Sequence, residues 1–84
     1  MRQPVDIPKD RWTLVAQNVT SGLIDVMTHD FYAYSFDYVL TGDASPTTDA
    51  TAVVFHGRQE KIDNDQYIDV YVKCKYDGRV MVSI

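Results

Sequence analysis

Reactive side chains are scarce in these 84 residues: one cysteine (Cys74), one glutamate (Glu60) and two histidines (His29 and His56). A lone cysteine excludes the intramolecular disulfides that staple many small secreted domains. No apolar run approaches the length of a membrane span, and the start Met-Arg-Gln-Pro-Val-Asp lacks the apolar centre of a signal peptide, so no membrane association is expected. Basic runs are missing too. With 8 basic against 12 acidic residues the net charge is −4, which opposes the phosphate attraction that nucleic-acid binding uses. The expectation is a chain made in a reducing cytoplasm that binds neither nucleic acid nor membrane.

The chemistry of an enzyme is equally thin. Neither histidine stands in a recognised nucleophile or metal spacing. Cys74 falls on the inward side of its strand, where a thiol stays inert. Asp25, His29 and Asp30 gather near one turn, and Asp63-Asn64-Asp65 resembles a fragment of a calcium loop, without the glycine and distal glutamate that complete one. Lys73, Lys75 and Arg79 read as a solvated face, and Asn18-Val19-Thr20 as a turn. No catalytic residue, cofactor or metal is expected.

What the chain does have is alternation. Ile68, Val70, Val72, Cys74 and Tyr76 share one parity, while Tyr67, Asp69, Tyr71, Lys73 and Lys75 share the other, the period of two of a strand with one face in the core. Asp77-Gly78 suits a type I′ turn, and Val80, Val82 and Ile84 alternate after it, which predicts a C-terminal β-hairpin. Further strands are predicted over Trp12–Gln17, Leu23–Thr28, Phe31–Leu40 and Thr51–His56, with Trp12 anchoring one end of the core. Turn-forming residues fill 18–22 and 41–50, and 57–66 is a polar connection broken by Ile62, which should tuck onto the core. The fold expected is all-β, a small antiparallel sandwich or barrel of about six strands in a single domain over 12–84. Residues 1–11, with Pro4 and Pro8, are expected to form an extended arm, either frayed or docked on a neighbouring subunit.

The face carrying Tyr32, Tyr34, Phe36 and Tyr38 is unusually aromatic. Buried phenols need hydrogen-bond partners, whereas a rim or subunit interface accepts a ring with a wet hydroxyl. These four residues and Tyr71 are the candidate interface, the alternative being the edge of an ordinary core. At this size folding buries only about 60 to 65% of the chain's surface, and self-association is a natural way to bury more.

Several pieces in order, Trp12-Thr13-Leu14-Val15-Ala16, Asn18-Val19-Thr20-Ser21-Gly22, Pro46-Thr47, Ala52-Val53-Val54-Phe55-His56-Gly57, Ile68-Asp69-Val70-Tyr71-Val72-Lys73 and Gly78-Arg79-Val80-Met81-Val82-Ser83, resemble the small β-rich virion proteins of tailed bacteriophages. The resemblance implies a non-enzymatic head-decoration, head-fibre or tail-associated subunit. Such a subunit would be homo-oligomeric, as a trimer for instance, bound to other virion proteins in a particle assembled in the host cytoplasm. It carries over no catalytic or binding residue. A ligand-binding module for carbohydrate or a host protein, using exposed tyrosines, is the alternative function.

Overall fold

The structure is a computed structural model that describes residues 2–27, 36–42, 49, 52–55 and 57–84. The described residues form one antiparallel sheet of six strands: β1 (Arg2–Ile7), β2 (Thr13–Val26), β3 (Phe36–Thr41), β4 (Val53–Val54), β5 (Gln59–Cys74) and β6 (Gly78–Ser83). Their spatial order is β1-β6-β2-β5-β3-β4. The all-β, six-stranded expectation holds.

The two long strands make the frame. β2 and β5 pair in a register interrupted three times, between Leu14 and Ala16, Ala16 and Val19, and Val19 and Ser21. The first two interruptions add residues to β2. At the third, β5 runs from Ile68 to Asp63 while β2 runs only from Val19 to Ser21. Extra residues bend a strand and increase its twist, so the ribbon folds over at its middle. One half carries β6 and β1, and the other carries β3 and β4. The bend lets both halves face one core, built from Ile7, Val15, Ala16, Ile24, Val26, Phe55, Ile62, Val70, Val72, Cys74, Val80 and Val82. The sheet curls without closing. A single parallel bridge, Lys9 to Cys74, brings the chain leaving β1 against the end of β5, where Asp10 N–H donates to the Cys74 carbonyl at 2.9 Å.

Asn18 shows how side chains support the bend. It stands at φ 56°, in the left-handed region that asparagine tolerates better than most residues, and its N–H donates to Asp69 Oδ1 at 2.9 Å. The turn predicted over 18–22 is therefore a bulged stretch of one continuous strand. At Gly22 an added Cβ would lie 3.2 Å from the Ser83 carbonyl oxygen, because β6 joins the opposite edge of β2 beside it. Ile62 is buried as expected, but it belongs to β5, so the predicted polar connection over 57–66 is strand from Gln59 onward.

Two further expectations are corrected. Residues 2–7 are not a separate arm: they form β1, paired with β6 in register from Arg2↔Ser83 to Ile7↔Gly78. The arms on either side of Asp77-Gly78 do not pair with each other either, since β6 lies between β1 and β2. No glycine has positive φ, so the type I′ turn that would have aligned the two arms is not formed. Tyr76 and Ile84, both assigned to inward faces by that hairpin, are exposed.

Candidate functional site

Of the five candidate interface residues, Tyr32 and Tyr34 lie outside the described residues. Phe36 takes its place in β3 opposite Cys74. Tyr38 is half-buried and packs against the core, its ring edge-on to Phe55 with centroids 5.3 Å apart and planes at 84°. Burial raises the pKa of its phenol above the ordinary 10.0, and the negative charge of Glu60 raises it further.

Tyr71 lies on the opposite side of the sheet. It stands in register with Leu14 on β2 and Val39 on β3, a row on the face turned away from Val70 and Val72. Its predicted parity is right, yet Tyr71 is only 8% exposed and Val39 only 3%. The next outward residue along β5 is Lys73, whose Nζ donates to Asp49 at 3.2 and 3.4 Å and sits 5.6 Å from the centre of the Trp12 ring. Trp12 Nε1–H donates to the same carboxylate at 3.0 Å. Trp12 is thus half-buried on this second face and is not a member of the main core, because its indole N–H finds a carboxylate there.

The candidate ligand groups are largely engaged. Asp25 accepts from Gln59 Nε2 at 2.6 Å, while His29 and Asp30 lie outside the described residues. Asn64 Nδ2 donates to the Gln66 carbonyl at 2.6 Å, which braces the extra residues of β5 between Asp63 and Ile68. An open depression of about 430 Å³ is lined by Asp6, Ile7, Pro8, Asp77, Gly78 and Arg79. Its guanidinium already pairs with Asp6 at 2.6 Å, and Asp77 Oδ1 accepts from Lys9 N–H at 2.9 Å.

Among the described residues the two outermost strands of the sheet, β1 and β4, differ in kind. β1 carries exposed Arg2, Pro4 and Asp6. Hydrogen-bonded and non-bonded pairs alternate along an antiparallel ladder. Pro4, in register with Met81, has no N–H to give on either side of β1. An added strand would therefore find no donor at Pro4, and would meet a charge at the position two residues away on either side.

β4 has none of these features. Ala52-Val53-Val54-Phe55 contains neither charge nor proline, and Val53 and Val54 are 40% and 59% exposed. β4 pairs with β3 only through Asp37↔Val54 and Tyr38↔Val53, so Val39–Thr41 of β3 has no strand beyond it among the described residues. Leu40, 38% exposed, extends the apolar rim along that stretch. A sheet edge left open in this way is a template for pairing with another chain, whereas proline and charge are the usual guards against it. Edge position was hidden in the sequence, since it depends on which strand comes last in the sheet.

No family model, curated protein or solved structure matches this chain.

Proposed function

We propose that the chain is a non-enzymatic structural subunit of a bacteriophage virion, a decoration, fibre or tail-associated module that self-associates and attaches to the particle. The observation that carries the self-association is the uncharged edge at Val53 and Val54, continued by Leu40. Apolar surface at an unguarded sheet edge is stabilised when another strand covers it. Attachment to a virion rests on the resemblance to small phage proteins. To test it, phage particles carrying the gene would be purified on a density gradient and probed for the chain. The chain should band with the particles in fixed stoichiometry. Recovery only in the soluble fraction of the lysate would contradict the proposal.

A second reading, a carbohydrate-binding module, draws on Tyr67. This ring is 68% exposed in the extra segment of β5, in sequence beside Asp65 and Gln66, which offer hydroxyl acceptors to a sugar stacked on the phenol. Glycan-array binding that disappears in Tyr67→Ala would favour this reading, and a silent array would count against it.

A further inference from the structure

We infer that the extra segment of β5, residues 64–67, is the surface by which this chain attaches to another virion protein, the Tyr67 ring entering an apolar pocket rimmed by lysine or arginine. The inference rests on the attachment proposed above and gives it a place on the molecule. Three observations carry it.

The first is a braced protrusion. Between the pairs Asp63↔Ser21 and Ile68↔Val19, β5 has four residues, 64–67, where β2 has one, Thr20. A regular strand turns every second side chain to the core, but Asp65, Gln66 and Tyr67 are exposed in succession. The segment is held on both flanks. Asn64 Nδ2 donates to the Gln66 carbonyl at 2.6 Å, and Asn18 N–H donates to Asp69 Oδ1 at 2.9 Å. A segment fixed in this way has little conformational freedom left to lose on binding. The second observation is the ring at its end. Tyr67 is 68% exposed, more than any other large hydrophobic side chain among the described residues, and its hydroxyl has no hydrogen-bond partner there. Tyrosine is enriched at the centres of protein interfaces, because it brings apolar area and a polar tip at a small entropy cost. Small ligands settle in concave sites, so a projecting ring suits a protein pocket better than a free sugar. The third is charge. Residues 62–72 of β5 carry Asp63, Asp65 and Asp69 and no base, and residues 13–22 of β2, which pair with them, carry no charge. Two copies meeting corner to corner would set like charges together, so the partner is a different protein. Lysine or arginine around its pocket complements the three carboxylates.

The test uses phage whose own copy of the gene is silenced by a nonsense codon, with the full chain supplied by the host as wild type or variant. The amount of chain in the particle fraction of a density gradient is measured, and circular dichroism checks that each variant keeps its β-structure. The wild type should band with the particles. Tyr67→Ala should lower the particle-bound chain about tenfold or more, while Tyr67→Phe, which keeps the ring, should retain most of it. Asp63→Asn combined with Asp65→Asn removes two rim charges and should lower it by a smaller factor. Met27→Ala, an exposed apolar side chain just beyond the far end of β2, should leave it unchanged. Wild-type chain missing from the particles would overturn the virion reading itself. Wild type bound and Tyr67→Ala bound equally would overturn the attachment surface alone, and glycan binding lost in that variant would then assign the ring to a sugar. An equal loss in Met27→Ala would overturn the attachment surface as well.

Discussion

β1 and β4, the two strands at the ends of the sheet among the described residues, differ in how they guard their outer sides. β1 is six residues long and bears a proline with charges on either side, and its inward side chain Ile7 is almost fully buried. β4 is two residues long, uncharged and largely exposed. Sheets left open at both edges tend to polymerise, and those guarded at both stay single. One guarded and one open edge suit an assembly of limited size.

Variants can break this contrast or sharpen it. The largest effect is expected for Tyr38→Ala, which removes the ring that holds Phe55 and backs Val53. A half-buried aromatic should cost about 3 kcal/mol in denaturant unfolding, and the loss of β4 docking should abolish association as well. Val80→Ala is the matched change on the other side. It empties a fully buried site in register with Val5 of β1 and Val26 of β2, so it should cost about 2 kcal/mol, yet the assembled mass should persist under native conditions. Equal loss of assembly in both variants would mean that the two edges are not independent. Asp69→Ala leaves the Asn18 amide without its carboxylate and should cost about 1 kcal/mol, since it loosens the bend that sets the two edges apart.

The smallest effect is one of pH. The folded protein holds the Tyr38 phenol neutral beyond its ordinary pKa of 10.0, through burial and the nearby Glu60 carboxylate. The unfolded chain ionises first as pH rises. The stability from this site is therefore complete below about pH 10 and is lost as pH climbs through the folded pKa. Ultraviolet titration should show a phenol that ionises above its ordinary range, and that component should vanish in Tyr38→Phe.

Much of the strand content was legible in the sequence, because Val70, Val72 and Cys74 alternate cleanly and the core uses that alternation. The polar stretch from Gln59 hid a strand, because only Ile62 and half-buried neighbours face inward there and the rest of that pattern is water-facing. Asn18 and Gly22 look like a turn by composition. The Asp69 carboxylate and the nearby Ser83 carbonyl, both distant in sequence, turn them instead into a bulge and a close strand contact. Asp77-Gly78 does connect two strands, but partner choice is a long-range property: β6 finds β1 and β2. Tyr71 and Val39 are buried on a face that strand parity assigns to water, the side where Trp12 and Lys73 meet Asp49 of the β3–β4 connection. The candidate site was the least legible part. The aromatic row pointed toward β3, and the open edge is the strand beside it.

Amide hydrogen exchange at two protein concentrations, read separately over 2–7 and 52–55, tests the central claim most directly. Pairing through the open edge should raise protection over 52–55 at the higher concentration and leave 2–7 unchanged. Rising mass without added protection at 52–55, or with protection gained at 2–7 instead, would contradict the account.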